Sequence, residues 1–245
     1  MEEKSWFKDW FDTKYYHLLY QHRDENEASQ FIKSLTQFLQ LQVNSKILDL
    51  ACGKGRHSVT LNELGYDVLG ADLSENSINA AKPMEKDGLA FIVQDMREII
   101  PNNSFDAVFN LFTSFGYFDE KTDNEKVVRS VFEMLHPNGI FVIDFMNVHR
   151  VLHQLVANET KVVNGIQFQL NRQYTGTHII KEITFEDQGQ YFSYQEKVQA
   201  LKKTDFEKLF SDCGFSLIET FGDYGLHAFD ENISDRLILI ARKNG

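Results

Sequence analysis

A chain of 245 residues with 42% apolar side chains, 21 of its residues being Phe, can fill the core of one generous α/β domain, which argues against disorder. The net charge of −11, with no dense Lys/Arg cluster, argues against a face built to neutralise nucleic-acid phosphates. Cys52 and Cys213 form no CxxC pair, Met1-Glu2-Glu3-Lys4-Ser5-Trp6 is not signal-like, and Gly139 to Phe145 is only strand-length. A disulfide framework, a zinc site and a membrane span are therefore not expected, and the chain reads as cytoplasmic.

Residues 1–42 read as a helical cap, with Phe31, Leu35 and Phe38/Leu39 at helical spacing. A strand follows at Lys46 to Leu50, then a glycine-bearing turn and a helix from His57 to Leu64. The next strand, Asp67 to Ala71, ends at Asp72, and Ser74 is placed to cap the helix through Ala80-Ala81. Strands are expected at Leu89 to Gln94, Phe105 to Phe112 and Ile140 to Phe145. Between the last two, Thr122-x-x-Glu125 reads as a capping box opening a helix to Leu135. This rhythm implies a parallel sheet covered by helices on both faces.

Beyond residue 155 the rhythm changes. Val162 to Tyr174, His178 to Glu186 and Tyr191 to Leu201 alternate β-formers around Thr175-Gly176 and Asp187-Gln188-Gly189, so residues 155–202 read as an inserted antiparallel meander. Thr204-x-x-Glu207 is a second candidate capping box, and strands at Phe215 to Phe221 and Arg236 to Ala241 close the sheet. The expected fold is α/β: a Rossmann-like, seven-stranded, mostly parallel sheet with this insertion, and residues 1–245 form one domain.

The chemistry-bearing segment is Lys46-Ile-Leu-Asp-Leu-Ala-Cys-Gly-Lys-Gly-Arg-His-Ser58. A hydrophobic strand with an acidic residue runs into a small-residue turn, which lets backbone approach a nucleoside closely. A dinucleotide fingerprint would need glycines at positions 51, 53 and 56, which hold Ala51, Gly53 and Arg56. Arg56 cannot pack where that third glycine belongs, so an NAD-type oxidoreductase is disfavoured.

The pattern Asp49-x-Ala51-x-Gly53-x-Gly55 resembles motif I of class I S-adenosylmethionine-dependent methyltransferases, with Ala51 in place of the first glycine. Asn110-Leu-Phe-Thr-Ser-Phe-Gly-Tyr-Phe118, the Trp6-Phe7 and Tyr15-Tyr16-x-x-Leu-Tyr20 segments, and Phe229-Asp230-x-x-x-Ser-Asp-Arg236 resemble a bacterial small-molecule subgroup of that family. The resemblance implies S-adenosyl-L-methionine as cofactor. Asp72 would accept hydrogen bonds from the ribose hydroxyls, Asp95 would meet the adenine amine, and Met96 would pack on the ring. Leu73, Cys52 and Phe112 complete the expected cofactor set with Asp49, Ala51, Gly53 and Gly55; Cys52 reads as a small residue, since methyl transfer needs no thiol.

In the family the N-terminal region folds over the methionine end, which makes His22 and Arg23 candidates for the cofactor carboxylate. The aromatic cluster Trp6, Phe7, Trp10, Phe11, Tyr15, Tyr16, Tyr20 reads as core ahead of site. Tyr16, His22, Tyr117 and His227 are candidates for the catalytic proton acceptor, and His227 also reads as a solvated loop residue. Asp144 and Asn147 invite a metal reading that no second ligand supports, so no metal is expected. The expected activity is methyl transfer to a small-molecule N, O or C acceptor by a monomer or homodimer. A peptide or tRNA methyltransferase, and a protein that binds the cofactor without turnover, remain alternatives.

Overall fold

The computed structural model describes residues 6–20 and 25–245. The amino-terminal segment comprises α1 (Trp6–Phe11), α2 (Lys14–Leu19) and α3 (Glu25–Leu39). The break between the first two falls at Asp12-Thr13, where the Thr13 hydroxyl accepts the Tyr16 N–H at 3.1 Å and caps α2. Strand and helix then alternate: β1 (Lys46–Leu50), α4 (Arg56–Glu63), β2 (Asp67–Asp72), α5 (Glu75–Ala81), β3 (Leu89–Val93), β4 (Phe105–Asn110), α6 (Lys121–Met134), β5 (Leu135–Met146) and α7 (Val148–His153). The insertion is β6 (Asn158–Val163), β7 (Ile166–Tyr174), β8 (His178–Asp187) and β9 (Gln190–Gln199). After it come α8 (Lys203–Asp212), β10 (Phe215–Phe221) and β11 (Arg236–Lys243).

The seven-stranded sheet has the order β10-β11-β5-β4-β1-β2-β3. Strands β1 to β5 pair in parallel, while β11 runs antiparallel to both β5 and β10. The chain winds outward from β1 to β3, then returns to β4 on the other side of β1. That reversal opens a crevice beyond the carboxyl ends of β1 and β4. Each sheet face carries its own core. Phe31, Ile32 and Leu35 of α3, Leu61 of α4 and Ile78 of α5 pack with Ile47, Phe109 and Val142 on one side. Val127 and Val131 of α6 and Phe206 and Phe210 of α8 pack with Leu48, Phe141 and Leu239 on the other. Burial of each such large side chain contributes about 1.5–3 kcal/mol.

A third core is separate. Trp10, Tyr15 and Leu19 of α1 and α2 pack with Val163, Phe168, Leu170, Ile183 and Phe185 of the inserted sheet. Within residues 1–42, then, α1 and α2 pack against the insertion, whereas α3 packs against the main sheet. Among the described residues, no helix is long and apolar enough to cross a membrane.

Three local readings need correction. The meander has four strands, because Asn164-Gly165, with φ of 49° and 83°, folds the expected first strand into a hairpin. Neither threonine capping box forms. Glu120 is the N-cap of α6, and Lys202 precedes α8, its N–H bonded at 2.8 Å to the Asp205 carboxylate. Each helix starts before its threonine, and in α8 the reciprocal acid is Asp205 in place of Glu207.

Candidate active site

The turn after β1 passes through left-handed backbone at Ala51 (φ 63°), Gly53 (φ 56°) and Gly55 (φ 82°). At Gly55 a side chain is excluded twice over: by φ, and because a Cβ would lie 2.5 Å from the Phe91 ring. At Gly53, which lines the cavity described below, a Cβ would meet nothing within 4 Å. Asp49 is buried and accepts the Ser58 hydroxyl at 2.6 Å. Burial raises its carboxyl to about 6, against the lowering effect of the Ser58 bond, with Asp72 nearby adding to the rise.

Asp72 ends β2 with both oxygens occupied by backbone, accepting from Gly53 N at 2.8 Å and Ser74 N at 2.9 Å. Removal from water raises its pKa, and those two N–H groups oppose the rise. The Ser74 hydroxyl accepts the Ser77 N–H at 2.9 Å, capping α5, and donates to the Asp12 carboxylate in the α1–α2 turn. Beyond β3, Asp95 is gripped by Arg97, which donates from Nε at 3.0 Å and Nη2 at 2.6 Å; Nη1 of Arg97 reaches Asp123 of α6 at 2.9 Å.

The segment after β4 is held in an unusual conformation, with Phe112 at φ 59° and Thr113 at φ 62°. The Phe112 ring stacks with His57, 4.8 Å away, and with Tyr224, 5.1 Å away, and the Arg56 guanidinium lies 4.4 Å from its centroid. Tyr117 donates its hydroxyl to the Thr113 carbonyl, and its ring meets Trp6 and Phe11 at 5.5 and 5.3 Å.

These pieces enclose one cavity of about 480 Å³. Asp49, Asp72, Asp95 and the glycine turn line one part; Phe11, Tyr16, Tyr20, Tyr117 and Phe118 line another. The aromatic wall is braced by the insertion: Tyr20 donates to Glu196 at 2.7 Å, Trp10 Nε1 donates to the same carboxylate at 2.7 Å, and Lys181 stands 3.5 Å from it. His17 also lines the cavity, and its pKa is lowered by burial and by Lys54 of the glycine turn.

Residues 41–213 match the family model of the methyltransferase domain. The chain belongs to that family. It is an S-adenosylmethionine-dependent methyltransferase of the class I fold, as the resemblance implied. The methyltransferase is 27% identical over 236 residues to the glycine/sarcosine N-methyltransferase of Aphanothece halophytica, covering 91% of this chain and 83% of that one. It is 27% identical over 180 residues to a dTDP-3-amino-3,4,6-trideoxy-alpha-D-glucopyranose N,N-dimethyltransferase of Streptomyces venezuelae, covering 69% and 75%. In fold it is similar to a crystal structure of an S-adenosylmethionine-dependent methyltransferase from Clostridium acetobutylicum, with a TM-score of 0.80 at 21% identity over 94% and 96% of the two chains.

In this methyltransferase the expected cofactor residues Asp49, Ala51, Cys52, Gly53, Asp72, Leu73, Asp95, Met96 and Phe112 all line the cavity, while Gly55 sits behind the turn against Phe91. Of the proton-acceptor candidates, Tyr16 and Tyr117 line it. His227 does not: its imidazole is exposed and lies 2.9 Å from Asp223. His22, with Arg23, falls outside the described residues. Asp144 is engaged by protein donors, Arg236 Nε at 2.7 Å and Phe112 N at 2.8 Å, and Asn147 donates to the Glu231 and Ser234 carbonyls. Among the described residues, no group of three His, Cys, Asp or Glu could hold a metal ion. Tyr20, of the aromatic cluster, lines the cavity, whereas His17 was missed by the sequence reading; its place one residue after Tyr16 in that aromatic helix was the available signal.

Proposed function

We propose that this methyltransferase transfers a methyl group to a small-molecule acceptor, with nitrogen the acceptor atom best supported among N, O and C. The observation that carries the reading is the aromatic wall of Phe11, Tyr16, Tyr20 and Tyr117, which shares a cavity of about 480 Å³ with the carboxylates of Asp49, Asp72 and Asp95. A space of that size, roofed by two helices, suits a nucleoside cofactor and a modest organic partner and excludes a duplex. Both curated relatives named above are N-methyltransferases of small molecules, which supports the choice of nitrogen.

The residues present fit the cofactor. Asp72 would take the ribose hydroxyls, Asp95 with Met96 and Leu73 the adenine, and the Asp49–Gly55 turn with Phe112 the methionine portion. When bound, S-adenosylmethionine supplies an electrophilic methyl on a sulfonium. The protein's part is alignment and exclusion of water. The aromatic faces of Tyr16, Tyr20 and Tyr117 also suit the positive charge that a nitrogen acquires on methylation. An acceptor ammonium must first lose its proton. His17, whose pKa burial and Lys54 lower, is a wall group able to receive it, and Tyr16 or Tyr117 would do so only as a phenolate.

From the cap of residues 1–42, α1 and α2 enter this reading as the acceptor side of the domain, with the insertion of residues 155–202 bracing them. The test is a transfer assay with purified protein, S-adenosylmethionine and a panel of small amines, including glycine, sarcosine and a dTDP-amino sugar, beside alcohols and carbon acids. Mass spectrometry should find methyl added to an amine of the panel. Addition only to tRNA or to peptides would overturn the reading.

A further inference from the structure

Thr113 is β-branched and sits at φ 62°, directly after Phe112 at φ 59°. Two consecutive non-glycine residues in left-handed backbone, one of them β-branched, persist only where surrounding structure overdetermines them. Here the restraint comes from the neighbouring strands β5 and β11. The Asp144 carboxylate, fully buried, accepts from Phe112 N at 2.8 Å and from Arg236 Nε at 2.7 Å. The Asp144 carbonyl accepts the Thr113 N–H at 2.9 Å, and Arg236 Nη2 donates to the Thr113 hydroxyl at 2.9 Å. Tyr224 completes the set, its hydroxyl donating to Asp144 at 3.2 Å. On its cavity side the same two-residue segment aims the Phe112 ring and holds the Tyr117 hydroxyl on the Thr113 carbonyl.

We infer that Asp144 and Arg236 are positioning residues for methyl transfer: they clamp Phe112 and Thr113 in left-handed backbone and, through Thr113, set Tyr117 against the roof of the cavity. The inference rests on reading that cavity as the methyl-transfer site. Neither residue lines it. Their effect runs through backbone conformation, which separates this role from an ordinary ion pair. An ion pair serving stability alone would be indifferent to which residue occupies position 113.

The test uses that distinction. Thr113→Val and Thr113→Gly both remove the hydroxyl that Arg236 reaches, yet Val keeps the strain and Gly abolishes it. By calorimetry with S-adenosylhomocysteine, Thr113→Val should bind about tenfold more weakly than wild type, whereas Thr113→Gly should stay within about threefold. Arg236→Lys, which loses the two-point fork, should weaken binding, and Thr113→Gly in that background should restore it. Both Trp residues, Trp6 and Trp10, lie on α1, so their fluorescence reports whether Tyr117 still meets the roof. That signal should change in Thr113→Val and not in Thr113→Gly. Wild type failing to bind S-adenosylhomocysteine would overturn the reading of the cavity itself. Normal wild-type binding with equal affinities for the Val and Gly variants overturns the positioning role alone, and so does Arg236→Lys that binds like wild type. Because the Val and Gly pair leaves the ion pair intact, the comparison holds even if Arg236→Lys does not fold.

Discussion

Two carboxylates decide most of what can be measured at single residues. Asp49 titrates near 6 where an exposed aspartate titrates at 3.8, because folding strips its water. Below about pH 4 native and unfolded chains both hold that proton; between about 4 and 6 the unfolded chain loses it first, so stability falls as pH rises and levels off above about 6. The full span is on the order of 3 kcal/mol. Asp49→Asn removes the ionisation and keeps an acceptor for Ser58. Urea unfolding should therefore show the variant gaining on wild type between about pH 4 and about pH 6, with the gain levelling off above, and a difference flat with pH would contradict the assignment. Asp72→Ala should weaken S-adenosylhomocysteine binding by about 1.5–3 kcal/mol in calorimetry, since a charged acceptor is lost and Gly53 N–H loses its anchor. Unchanged affinity would remove Asp72 from the site. Both carboxylates were legible in the sequence as acids in a strand that runs into a turn, which is a purely local pattern. Arg236 and Asp144 were not legible as a clamp: their meeting with Thr113 depends on β11 lying beside β5.

At the level of elements, the strand–helix alternation was readable from hydrophobic pattern, while starts and splits were less so. The Asn164-Gly165 turn carried its own signal, two residues suited to positive φ, inside a run that otherwise read as one strand. Threonine spacing misplaced two helix starts because backbone geometry, and at α8 the acid Asp205, set those ends instead. Nothing local announces that α1 and α2 share a core with the insertion, because Trp10 and Glu196 are 186 residues apart. Deleting these helices would strip that core, so a single contact is the better probe. Asp12 in the α1–α2 turn accepts from Ser74, whose N–H is bonded to Asp72. Asp12→Ala should cost about 1 kcal/mol of docking. Acrylamide quenching of the α1 tryptophans should then rise, and Asp12→Asn, which still accepts, should stay near wild type. Quenching unchanged in Asp12→Ala would show that the turn is held by packing alone.

For the molecule as a whole, charge and cavity point the same way. A net charge of −11 repels phosphate backbones, and the cavity is walled by aromatic side chains on a roof braced by the inserted sheet. The central claim is that methyl leaves this enzyme on a small molecule. The most direct measurement supplies the protein with methyl-labelled S-adenosylmethionine and a cell extract separated by ultrafiltration into low-mass and macromolecular fractions, then follows where label accumulates. The account predicts label in the low-mass fraction, dependent on intact Asp72. Label recovered in precipitable RNA or protein, with the low-mass fraction unlabelled, would contradict it.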